Sequence, residues 1–139
     1  MFKRILLPVD LTDRHRKAVE VAAELAVQGK AVVTLFHVIE TIAGLPMTEE
    51  PDFYRRLERV ARSHFGPWGK QLEEHAVTWQ AEVRYGDRAR ETVRYAMETA
   101  NDLILLTAPR IDPANPAAGW GSLSYKIGIL SPCPVLLVK

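Results

Sequence analysis

Short apolar runs alternate with longer amphipathic ones along the whole chain. Ile5 to Val9 is continuously apolar and predicts a strand buried on both faces. Asp13 stands where it can cap a helix over 14–28. In it Ala18, Ala22, Leu25 and Ala26 recur at helical spacing, and Gly29 marks its end. Ala31 to Ile39, β-branched and aromatic, predicts a second strand. Residues 41–51 carry Gly44, Pro46 and Pro51 and read as a loop. Phe53, Leu57, Val60 and Ala61 then mark an amphipathic helix whose stripe continues through Trp68, Leu72 and Ala76. Gly66-Pro67 falls inside it, and proline lacks the N–H that a helix interior uses, so a kink or a restart is expected there. Val77 to Tyr85 predicts a third strand, closed by Gly86-Asp87. Ala89, Val93, Ala96, Met97 and Ala100 define the next helix. Asp102 to Thr107 is a fourth strand with an apolar centre. A loop over 108–119 holds Pro109, Pro113 and Pro116. Ser122 to Leu130 reads as a short helix and Val135 to Val138 as the fifth strand.

Five strands separated by crossover helices predict an α/β fold, a doubly wound parallel sheet with helices on both faces. Ligands of such sheets bind at the carboxyl ends of the strands, where the strand order reverses. Asp10, His37 to Glu40, Thr107 to Arg110 and Gly121-Ser122 all fall at strand ends or at the following helix start.

The 139 residues fit one domain, 1–139. Eighteen basic and 17 acidic residues leave a net charge of +1, without the basic face that phosphate-backbone binding requires, so no nucleic-acid partner is expected. Cys133 is the single cysteine, flanked by Pro132 and Pro134, and suits a reducing compartment. No apolar run is long enough to span a membrane, and the first is too short and too soon followed by Asp10 for a signal peptide. A cytoplasmic location is expected.

The residue chemistry is sparse. Asp10 can accept hydrogen bonds from a ligand's amine or hydroxyl, or it can bond the backbone N–H groups of its own turn; the sequence leaves both open. Asp10 and Asp13 are the only carboxylate pair near a strand end, and they match neither a phosphoacceptor nor a phosphatase spacing. His15, His37, His64 and His75 show no metal-ligand spacing and read as structural, with no Ser-His-Asp arrangement to argue from. Gly121, Ser122 and Leu123 form a helix start. Glycine admits close backbone approach there, and Ser122 can cap the helix while free N–H groups face an anion. Trp120 beside it is core packing or a cover over the crevice.

Several of these segments together resemble the universal stress proteins. They are Lys3 to Asp10, His37-Val38, Val83 to Asp87, Asp102 to Leu106, and Gly121-Ser122 running through to Cys133-Pro134-Val135-Leu136-Leu137-Val138. The similarity covers nearly the whole chain. It implies a sheet in the order 3-2-1-4-5. It also implies, for ATP-binding members, adenosine over residues matching Pro8, Val9, Asp10 and Val38. In those members the phosphates rest on a glycine motif: G, two residues, G, nine residues, then G followed by Ser or Thr. Here Thr107 takes the first glycine position and Arg110 the second, the spacing to Gly121 is one residue longer, and only Gly121-Ser122 remains. A Cβ at Thr107 obstructs close approach and Pro109 removes a donor. The resemblance therefore implies the branch that lacks the motif. Such a protein acts by binding rather than by catalysis, with weak or no ATP affinity, no other cofactor and no metal, and a crevice for another small ligand. The alternative is an adenine-nucleotide binder in which Arg110 and a remodelled loop replace the glycines. A third reading, a nucleotide hydrolase, needs a metal that only Asp10 and Asp13 offer. A homodimer paired along Val135 to Val138 is also expected, because that run holds neither a charge nor a proline to prevent edge pairing.

Overall fold

The strands Arg4–Pro8 (β1), Val32–Ile39 (β2), Thr78–Tyr85 (β3), Leu103–Thr107 (β4) and Val135–Val138 (β5) alternate with the helices Arg16–Gly29 (α1), Pro51–Glu73 (α2), Arg88–Glu98 (α3) and Leu123–Leu130 (α4). The structure is a computed structural model that describes residues 1–110, 112–117 and 122–139. Every strand pairing is parallel and the sheet order is β3-β2-β1-β4-β5, as the resemblance implied. The chain runs outward from β1 to β3, then returns to the other side of β1 for β4 and β5. The order thus reverses between β1 and β4.

Alternation along the central strands sorts the core into two layers. Ile5, Leu7, Val33, Leu35 and Leu103 face α1 and α2, joining Val19, Ala22, Phe65 and Leu72. Leu6, Phe36, Ile104 and Leu106 face the opposite side, joining Tyr95, Ala96 and Ile127 of α3 and α4. Both faces of β1 are covered, which is why its sequence is continuously apolar. At its start the Asp102 carboxylate accepts from the N–H groups of Lys3 (2.8 Å) and Arg4 (3.1 Å), anchoring β1 to the entry of β4.

Two helix boundaries differ from the sequence expectation. Asp13 does not cap α1; His15 occupies that position and makes no side-chain cap bond, because its ring is turned inward to other partners. Gly29 is the last helical residue, and Lys30 adopts the left-handed conformation that closes the helix (φ 51°). Glycine is needed at 29 for space: a Cβ there would lie 2.1 Å from the Phe2 carbonyl oxygen. The Gly66-Pro67 pair neither ends nor divides α2, which is helical from Pro51 to Glu73. The buried stripe of Ala61, Phe65, Trp68, Gly69 and Leu72 spans the proline. Burying those side chains outweighs the one backbone bond that Pro67 removes.

Candidate functional site

The carboxyl ends of β1, β2 and β4 converge on a cavity of about 500 Å³ at the point where the strand order reverses. β1 and the turn after it bring Pro8, Val9 and Asp10; β2 brings Val38; β4 brings Thr107; the start of α4 brings Ser122 and Leu123. Seven of the nine residues singled out from the sequence thus meet on one cavity. Arg110 is exposed and is not among the lining residues. Gly121, like Trp120, lies outside the described residues. Ser122 caps α4 as expected: its Oγ accepts from the Tyr125 N–H at 3.2 Å.

Asp10 lines the cavity and is also bonded within its own turn. One carboxylate oxygen, Oδ1, accepts from the Thr12 N–H (3.1 Å), the Thr12 hydroxyl (2.5 Å) and His15 Nε2 (2.6 Å). The other, Oδ2, accepts from Arg14 Nε (3.2 Å) and Nη2 (3.0 Å). Burial pushes this carboxyl's pKa up, but the bonds from Thr12, His15 and Arg14 outweigh it and hold the group well below the usual carboxylate range. Asp10 is therefore an ionised group at the cavity wall, held in place by the residues of its own turn.

His15 is the residue that sequence reasoning missed. Read as a structural helix histidine, it is instead 2 % exposed and lines the cavity. Its Nε2 faces Asp10 and its Nδ1 lies 2.8 Å from the Thr107 hydroxyl. Burial lowers its pKa, against the opposing pull of Asp10, and so favours the neutral ring. Nε2 also lies 3.1 Å from the Asp10 amide. The shorter contact, to a charged oxygen, takes the ring proton. Nε2–H then donates to Asp10, and Nδ1 is left to accept from Thr107. The result is a chain of three groups, Asp10 to His15 to Thr107, joining the ends of β1 and β4 through the start of α1. The only trace in the sequence is the five-residue step from Asp10 to His15, which carries no recognised spacing.

Further residues complete the lining, among them His37 and Glu40 of the strand-end segment noted in the sequence. His37 donates from Nδ1 to the Val9 carbonyl at 2.8 Å, leaving Nε2 as an acceptor. Arg88 pairs with Glu40 across the mouth. Leu57 and Val60 of α2, with Phe36 and Leu106 of the sheet, supply apolar wall. No group of three or more histidine, cysteine or acidic side chains able to hold a metal ion occurs among the described residues. No helix is long and apolar enough to cross a membrane among those residues.

Comparison with known proteins agrees with this architecture. The model of the universal stress protein family matches residues 1–139. Universal stress protein YxiE of Bacillus subtilis is 28 % identical over 152 residues, covering 100 % of both chains. Universal stress protein UspA from Lactobacillus plantarum superposes with a TM-score of 0.78 at 22 % identity, over 99 % of this chain and 98 % of that one. The universal stress protein from Archaeoglobus fulgidus in complex with dAMP gives a TM-score of 0.74 at 15 % identity, over 99 % and 98 % of the two chains.

Proposed function

The chain belongs to the universal stress protein family, and we propose that it works in the stress response by holding a nucleoside-sized ligand, with weak or no affinity for ATP. One observation carries this reading: the position of the first phosphate-binding glycine is filled by Thr107, whose side chain is committed to His15 at 2.8 Å. A phosphate cradle needs backbone amides that a ligand can approach closely, which glycine permits and a β-branched residue obstructs. Pro109, which also lines the cavity, contributes no N–H. The volume of about 500 Å³ and the apolar walls suit a nucleoside or a mononucleotide, and the Archaeoglobus relative in complex with dAMP lends support. With Asp10 engaged by its own turn, ligand hydrogen bonds fall to His37 and Ser122.

Toward nucleotides the site acts by binding, without metal-dependent hydrolysis, since the Asp10 carboxylate already has five donors. The protein pairs as a homodimer along β5, where Leu136 and Leu137 are exposed, as are Ile129 and Leu130 of α4.

Calorimetric titration tests the ligand reading. AMP is expected to bind measurably and ATP with magnesium to bind far more weakly. Micromolar ATP binding would overturn it.

A further inference from the structure

The bond between Thr107 and His15 is one step of a longer chain of groups in the cavity. Thr107 Oγ1, His15 Nδ1, His15 Nε2 and Asp10 Oδ1 form a continuous hydrogen-bonded chain with steps of 2.8 and 2.6 Å. All three residues line the cavity. The order is hydroxyl, neutral imidazole, ionised carboxylate, which is the arrangement that turns a hydroxyl into a nucleophile. The tautomer is the one this chemistry requires. Asp10 holds the proton on Nε2, so Nδ1 presents its lone pair to the threonine hydroxyl. The imidazole is buried and packed edge-on against Trp68 at 5.6 Å between centroids, which fixes the ring plane.

We propose that Thr107 is an activated nucleophile that takes an acyl group from small activated carboxylic esters entering the cavity. Thr107 Oγ1 bonds to the ester carbonyl carbon as its proton passes to His15 Nδ1. The carbonyl oxygen carries the negative charge until the bond to the alcohol oxygen breaks. The departing alkoxide takes the proton from His15, leaving an acyl-threonine and a neutral ring. Water then attacks the acyl carbon, with Nδ1 again accepting a proton, and the free acid leaves as Thr107 recovers its own. Asp10 is a positioning residue, which keeps the ring in the productive tautomer without touching the substrate. Donors for the transient oxyanion come from the start of α4. Leu123 and Ser124 line the same cavity, and the first amides of a helix have no acceptor within it.

Carbonyl chemistry is favoured over phosphoryl transfer by the surroundings. The mouth carries two carboxylates, Asp10 and Glu40, whose partners Arg14 and Arg88 are already paired with them, so among the described lining residues no unpaired cation awaits a transferring phosphoryl group. Leu57, Val60 and Leu106 present apolar wall suited to a short acyl chain.

The test uses p-nitrophenyl acetate and the intact chain. A burst of p-nitrophenolate is expected, with acetyl mapped by tandem mass spectrometry to Thr107. Thr107→Val is expected to abolish both and Thr107→Ser to keep both. His15→Gln is expected to slow acetylation by about 100-fold or more, with part of the rate restored by added imidazole. Absence of a burst, acetyl found at other residues only, or a burst unchanged in Thr107→Val would overturn the proposal. Because the acetyl is mapped on the unaltered chain, a variant that fails to fold does not blunt the test. Nucleotide binding is measured separately by calorimetry, so the ligand reading and this one can fail independently.

Discussion

The indole of Trp68 meets the imidazole of His15 edge to face, with ring centroids 5.6 Å apart and planes at 89°. Trp68 follows Pro67 directly, and it backs His15, which lines the cavity. It is 8 % exposed and packs into the α1–α2 layer of the core. An edge-to-face pair adds roughly 0.5–1.5 kcal/mol to what area burial supplies. Trp68→Ala is expected to cost about 3–5 kcal/mol, read as a lowered urea midpoint at unchanged slope. Because the His15 ring loses a wall, ligand affinity is expected to fall in the same variant even at temperatures where it remains folded.

Acid should weaken this fold in two stages, and the direction follows from the site. Burial holds the His15 pKa below its ordinary value. The unfolded chain therefore binds that proton first as pH falls, and stability declines from about pH 6.5 downward. Asp10 is likewise held low, by Thr12, His15 and Arg14 acting against burial. Its contribution is full above about pH 4 and is lost as pH falls further toward its folded-state value. Each group gives a slope of at most about 1.4 kcal/mol per pH unit. Urea unfolding from pH 8 to pH 4 in His15→Gln is expected to show a flatter profile than in the unaltered chain. Identical slopes would mean that His15 does not titrate differently on folding.

The fold was legible because burial imposes its pattern on every strand. A β1 covered on both faces has to read as Ile5-Leu6-Leu7, and parallel strands joined by amphipathic helices admit few arrangements. The cavity position was legible for the same reason, since strand ends and the Ser122 helix start fall at one edge of the sheet. The chemistry inside it was not. Asp10 and His15 lie five residues apart and Thr107 another 92 beyond, so their contact exists only through the β1–β4 pairing and the inward turn of the α1 cap position. Pro67 misled for a related reason. Its effect on a helix is local, whereas the stripe from Ala61 to Leu72 that holds the helix together is tertiary. Gly29 pointed to the right boundary with the wrong role, because its close neighbour is Phe2, a residue 27 positions away.

Restoring glycine at the end of β4 separates loop chemistry from cavity shape. Thr107→Gly removes the Cβ that hinders approach of a phosphate to the backbone at the end of β4. A recovered hydrogen bond to a charged oxygen contributes roughly 1.5–3 kcal/mol, so ATP affinity is expected to rise about tenfold or more. Arg110→Gly added to it should raise the affinity further. The same change strips His15 Nδ1 of its partner (2.8 Å in the unaltered chain). A stability loss of about 1–3 kcal/mol should accompany the gain, since a buried acceptor is left unpaired. Calorimetry and denaturation on one preparation check both signs, and a variant that gains neither affinity nor instability would show that Thr107 is not the obstacle.

The exposed edge of the sheet sets the last expectation. β5 pairs with β4 on one side only, so its outer edge offers unpaired backbone groups to another strand. Leu136 and Leu137 on the strand are 38 % and 43 % exposed, and Ile129 and Leu130 at the end of α4 are 68 % and 59 % exposed. Apolar side chains grouped along a free strand edge are what a second copy of this chain would cover. Sedimentation at micromolar concentration is expected to give a dimer, and Leu136→Lys combined with Ile129→Glu to give a monomer. The far-ultraviolet spectrum should not change, because neither side chain belongs to the buried core. A dimer that survives the double substitution would place the contact on another face.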